Sequence, residues 1–304
     1  MTDSARRRLR RRKRQREIVV HSIMTFICIF ILALVIYFAW ALFLKVKGSI
    51  DRKYEKEITS TVLESEEIEE DTETERIQMT EISSDEIEQK LETYAKEHNF
   101  DVSEYPEELI ELLRKNSETE QFVLDYPLKK DTYSYSALEE TEIDGEMPLL
   151  MQWDERWGYY IYGDNVIGLT GCGPTCLSMV ASYLLNDPEL TPLAIAQFSV
   201  RNGYCVSGHG TSWELMSEGA GKLGLYSKEV PLHEETVLQY LQQGKPIISI
   251  MGEGDFTDNG HYIVFTGVEN GKIKVNDPNS KERSEKLWDF ASIQSQIKNM
   301  WVFE

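Results

Sequence analysis

The C-terminal half of this chain predicts an α+β fold, with helices first and an antiparallel sheet after them. Three observations carry that prediction. Apolar residues at helical spacing follow Cys172, with Leu177, Val180, Ala181 and Leu184 on one stripe. Runs of β-branched and aromatic residues occupy 246–251, 261–268, 272–276 and 300–303. Asn270-Gly271 sits between two of these runs and is a strong two-residue hairpin turn. Helices and strands segregated along the chain are the α+β order.

The region before that domain is set by charge and hydropathy. Residues 6–16 are almost all Arg and Lys, and 23–44 then run for about 22 residues without a charge. At about 1.5 Å per residue such a run crosses the hydrocarbon core of a bilayer. Tyr37 and Trp40 lie toward its far end, and Lys45 and Lys47 follow. Dense positive charge before the span stays in the cytoplasm. The expectation is a basic cytoplasmic head (1–17), one transmembrane helix (18–45) and everything beyond it outside the cell. Ala39-Trp40-Ala41 resembles a signal-peptide cleavage site, but the run is long for a signal and Trp40 is bulky. An uncleaved single-pass anchor in the cell membrane is therefore favoured. The apolar span directly after the arginines argues against nucleic acid as a partner.

Segment 46–82 is rich in Glu, Ser and Thr with no sustained apolar period, which predicts an extended, solvated acidic stalk. The net charge of −20 understates the acidity of everything beyond the span, because the arginine head offsets part of it. A helical lead-in (83–147) follows. Ser83 and Glu86 read as a capping box, with Ile87, Leu91, Tyr94 and Ala95 on one face. Pro106 opens a second helix containing Leu109, Ile110, Leu112 and Leu113. Phe122, Val123 and Tyr126 suggest a third, short one ending before Pro127. These helices pack on the C-terminal domain or cover its cleft.

Within 148–304, Thr191-Pro192 starts a helix that stops near Gly203. Thr211 and Glu214 read as a capping box for another, ending around Gly224. A further helix spans 234–243 and stops at Gly244.

The chemistry centres on Gly171-Cys172-Gly173-Pro174-Thr175-Cys176. Pro174 suits the first turn of a helix, so Cys172 lies at or just before the helix N-terminus. The unpaired N–H groups and partial positive charge there favour a thiolate. A cysteine in a Gly-rich turn is commonly a packed residue or half of a disulfide. Two downstream features reverse those odds. His261 heads a strand, and Asp277 follows the next one. Together they supply a nucleophile, a base and an orienter. Counting outward from the Asn270-Gly271 turn, Val264 faces Asp277 and His261 faces Ser280. Asp277 is thus three positions off register, and a bulge or wider loop is needed. Asn276 and Asn279 compete with Asp277 for the orienting role.

MQWDERWGY, IGLTGCGPTCLSMV, GTSWELM, GHYIVFTGV and VNDPNS occur in the order of the C39-like peptidases, a branch of the papain-like superfamily that this segment resembles. The resemblance implies a papain-like fold for 148–304, with cysteine on the helical side of a cleft and histidine on the sheet side. It implies Cys172 as nucleophile, His261 as general base and Asp277 as orienter, with Gln152 donating to an oxyanion hole. The spacing of about 20 residues from Gln152 to Cys172 is wider than in the bacteriocin-processing members. Those enzymes cut after double glycine inside a transporter, and the chain shows no transporter domain, so that substrate is not expected.

The reading is an extracellular, membrane-anchored cysteine hydrolase that cleaves a peptide or cell-surface amide through an acyl-enzyme. The alternatives are a non-catalytic binding or adhesion domain, and transpeptidation by the same residues. No cofactor is expected. No His/Cys cluster has zinc spacing, and Asp255, Asp258 and Asn259 lack the EF-hand pattern. Cys172, Cys176 and Cys205 leave at least one free thiol, a Cys176–Cys205 disulfide stays open, and His209 reads as an exposed loop residue.

Overall fold

The computed structural model describes residues 83–208 and 210–304. The expected head, membrane span and stalk lie outside the described residues, as does His209. Among the described residues, no helix is long and apolar enough to cross a membrane.

A six-stranded antiparallel sheet forms the centre. Its strands are β1 (Ser227–Glu229), β2 (Ile247–Met251), β3 (His261–Glu269), β4 (Lys272–Asn276), β5 (Leu287–Trp288) and β6 (Ile297–Phe303), in the order β1-β6-β2-β3-β4-β5. Strands β2 and β3 read as near-continuous apolar runs because both their faces are covered. Ile248, Val264 and Tyr262 point to one cluster, which holds Leu177, Val180 and Ala196. Ile247, Ile263 and Phe265 point to the other, with Val237 and Leu241. Alternate residues of one strand thus enter opposite cores.

The lead-in forms α1 (Ser84–His98), α2 (Glu107–Lys115) and α3 (Glu120–Lys129). Ser83 caps α1 by accepting from the Glu86 N–H. α3 does not stop before Pro127 as expected, but runs through it. Pro127 falls in the last turn, where its missing N–H costs a single helical bond. The apolar faces of the three helices form their own cluster, which includes Tyr159 and Val166 of the C-terminal domain.

Helix α4 (Cys172–Leu185) and α5 (Pro192–Asn202) cover one face of the sheet. Thr191 caps α5, and Gly203 closes it with φ 79°. α6 (Glu234–Gln242) lies on the other face. The capping box expected at Thr211 is not there. Thr211 ends a two-stranded ribbon, Cys205–Val206 with Gly210–Thr211, and Ser212 caps the 3-10 turn Trp213–Met216 instead. The Thr211 hydroxyl is taken by the buried Tyr162 hydroxyl, at 2.9 Å, which removes it from capping.

Candidate active site

Two glycines set the position of Cys172. Gly171 is the N-cap of α4, and a Cβ there would lie 2.6 Å from the Ile167 carbonyl oxygen. A Cβ on Gly173 would lie 2.6 Å from the Thr211 hydroxyl oxygen. Both positions demand the absence of a side chain. Cys172 therefore sits at the first residue of α4, half-buried, on the wall of a cleft of about 510 Å3. Asp164, Val206, Trp213, Asn259 and Tyr262 also line that cleft.

The hairpin that carries His261 and Asp277 has the irregularity that the register count required. Glu269 pairs with Lys272 and Gly267 with Lys274, but Phe265 then pairs with Val275. Thr266 is the extra residue of a β-bulge. Without it, Asp277 would oppose Val264 and share its face, away from His261. Side-chain direction has a period of two, so one extra residue reverses it. With the bulge, Val264 pairs with Asn276, and Asp277 moves to the face of His261. The His261 Nε2 and Asp277 Oδ1 atoms lie 2.7 Å apart.

Neither competing asparagine takes that place. Asn276 turns to the opposite face and donates to the Pro148 carbonyl at 2.9 Å. Asn279 contributes its backbone, with its N–H donating to Asp277 Oδ1 at 2.8 Å. The second carboxylate oxygen accepts from Arg283 Nε at 2.6 Å. Arg283 lies on α7 (Lys281–Glu285) and is itself buried. Asp277 has no solvent exposure, so a charge there needs these partners. Sequence reasoning did not find Arg283. A single arginine six residues downstream has no local pattern that ties it to the carboxylate.

The electrostatics follow from the contacts. Burial pushes the Asp277 carboxyl up, but His261 and Arg283 outweigh it and hold the group well below the usual carboxylate range. Burial pushes the His261 imidazolium down, but the charge and hydrogen bond of Asp277, helped by Cys172, lift it to about 9. Burial also pushes the Cys172 thiol up. Its hydrogen bond to His261, that ring's charge, and the Tyr262 and Gly173 backbone N–H groups together bring it below the ordinary thiol value. With Nε2 on Asp277, the other ring nitrogen is left for the sulfur. Cys176, one turn along and fully buried, goes the other way: burial and the neighbouring Cys172 charge raise it well above the ordinary value. The open Cys176–Cys205 pairing is not formed, since Cys172, Cys176 and Cys205 are all free thiols.

Gln152 is buried, with its amide nitrogen donating to the Gly168 carbonyl at 2.8 Å. One of its two amide protons is therefore committed. Its backbone N–H donates to the Pro278 carbonyl at 2.7 Å, which ties it to the Asp277 loop. Among the described residues, no group of His, Cys, Asp and Glu could hold a metal ion.

Comparison with known proteins places the chain. A search of curated proteins found no match. Among solved structures, the peptidase domain of Streptococcus ComA, a bi-functional ABC transporter involved in quorum sensing, is 24% identical. That alignment covers 44% of this chain and 90% of that one, with a TM-score of 0.34. A double glycine motif protease from an AMS/PCAT transporter, solved in complex with the leader peptide, is 20% identical. It covers 53% of this chain and 94% of that one, with a TM-score of 0.34. The family model described as the Peptidase_C39 like family matches residues 145–302, more than half of the sequence. The chain belongs to the Peptidase_C39 like family.

Proposed function

We propose that the domain is a cysteine hydrolase acting on a peptide or related amide, anchored to the cell membrane with this domain outside. One observation carries the catalytic part: Cys172 at a helix N-terminus, His261 and Asp277 are joined by hydrogen bonds, with thiol and imidazole pKa values displaced toward each other. That displacement favours a thiolate–imidazolium pair at neutral pH.

In this reading, the Cys172 thiolate attacks the amide carbon. The imidazolium gives its proton to the departing amine, and a thioester acyl-enzyme forms. Neutral His261 then takes a proton from water, whose oxygen attacks the thioester and releases the thiolate. The backbone N–H at the start of α4 and the second amide proton of Gln152 stabilise the oxyanion. Asp277 keeps the ring oriented and compensates its charge without being consumed. Trp213 is exposed at the cleft, with its ring edge-on to Trp301 at 5.7 Å, and offers an apolar surface for a substrate side chain.

The test is the pH dependence of Cys172 labelling by iodoacetate, an anionic reagent, read peptide by peptide in a mass spectrometer. The rate should rise below the ordinary thiol pKa, as the thiolate forms. It should fall near pH 9, where His261 loses the positive charge that attracts the reagent and that acid catalysis requires. His261→Ala should remove both limbs and leave an ordinary thiol that reacts only as pH rises past about 8.5. A wild-type profile identical to that variant would defeat the proposal and favour a binding domain.

The anchor is carried by the uncharged run 23–44 behind the arginine head. Protease added to intact cells should degrade the C-terminal domain and spare the head. Protection of that domain until lysis would place it inside.

A further inference from the structure

All but the last three residues of the lead-in lie outside the segment that matches the family, yet one stretch of it reaches both sides of the site. Asn116 is buried and donates from Nδ2 to the Asn279 carbonyl at 2.5 Å. Its Oδ1 accepts from the Glu118 N–H at 3.0 Å and so presents the Glu118 side chain. The Glu118 carboxylate accepts from the Ser280 hydroxyl at 2.8 Å, the Lys281 N–H at 2.9 Å and the Glu282 N–H at 3.3 Å. These groups begin α7. A helix of five residues does not hold its own shape in water, so its cap decides whether it forms. Ser280 in turn accepts from the Arg283 N–H at 3.1 Å, and Arg283 reaches Asp277. Four residues further on, the Phe122 ring covers Gly158 and Gly168, where an added Cβ would meet it at 2.7 and 2.4 Å. Gly168 is the residue that holds the Gln152 amide.

We infer that the lead-in is a built-in brace of the catalytic residues, and that Glu118 is a positioning residue for Asp277. Among the described residues, those that line the cleft fall between Tyr162 and Tyr262 and none belongs to the lead-in, which braces the domain from outside the cleft. The inference rests on the hydrolase reading. It adds that 145–302 does not hold Asp277 correctly by itself. Without the Glu118 carboxylate, 279–285 loosens, Asp277 leaves His261, and burial then pulls the imidazolium pKa down.

The experiment is the same iodoacetate profile of Cys172, on the purified full-length chain, with heat stability measured in parallel. Glu118→Ala should move the falling limb down by about one pH unit, a roughly fivefold loss of labelling at pH 9 that approaches about tenfold above it. Glu118→Gln keeps the oxygen that serves Ser280 and Glu282, and should move it less. If Glu118→Ala does not fold, Ser280→Ala removes only the hydroxyl that relays the contact to Arg283 and should shift the limb in the same direction. A variant that melts earlier but keeps the wild-type limb makes Glu118 a structural cap alone and overturns the inference. A wild-type chain with no falling limb overturns the hydrolase reading and the brace together.

Discussion

Cys172→Ser should abolish amide hydrolysis, by about six orders of magnitude in kcat, without loss of fold. The serine hydroxyl keeps the place at the head of α4, but its proton is held far too tightly for His261 to maintain an ionised nucleophile. Cys176→Ser is the contrasting case. Cys176 has no solvent exposure and its thiol is pushed up by burial, so it carries no thiolate at neutral pH. That substitution should cost about 1–3 kcal/mol of stability by placing a hydroxyl in the core, and should leave turnover within a few-fold of wild type. Turnover and thermal unfolding of the two variants separate the cases. Activity lost in a well-folded Cys176→Ser chain and kept in Cys172→Ser would reverse the assignment.

Asp277→Asn should lower kcat/KM by about three to four orders of magnitude. The amide fills the same space but brings no charge to offset the imidazolium. His261 then loses the partner that lifts its pKa to about 9, and the alkaline limb of the rate profile moves down toward the ordinary histidine value. The sign follows from the active form: the rate needs the proton on His261, so a lower pKa loses that proton at a lower pH. Asn276→Ala and Asn279→Ala should leave the limb in place, since neither side chain bonds to His261. A folded Asp277→Asn variant with wild-type turnover would remove this residue from the mechanism.

The features legible in the sequence were those written locally. Pro174 with the apolar stripe behind it marked α4, and Thr191-Pro192 with Gly203 bracketed α5. Asn270-Gly271 set the hairpin, and Asn270 takes the left-handed φ of 53° that such a turn uses. Long-range features were not legible. Strands β1 and β5 are two or three residues long, too short for a period to show. The Thr211 cap failed because Tyr162, far away in sequence, captured the hydroxyl. The need for a bulge was visible, but its position was not: Thr266 is an ordinary strand residue with no local signal that marks the extra place. Arg283 and Glu118 act across a loop and across a domain boundary, where no spacing rule applies.

The bulge at Thr266 constrains how this hairpin can change in length. One residue gained or lost within the ladder would again send the carboxylate to the wrong side of the sheet. Two would return it to the right side but slide it by about 7 Å, beyond hydrogen-bond reach of His261. Each strand between the turn and its functional residue, 261–269 and 272–277, therefore behaves as a ruler of fixed length. Insertions can be absorbed only at the Asn270-Gly271 tip, where extra residues lengthen the loop and leave the rungs below it paired as before.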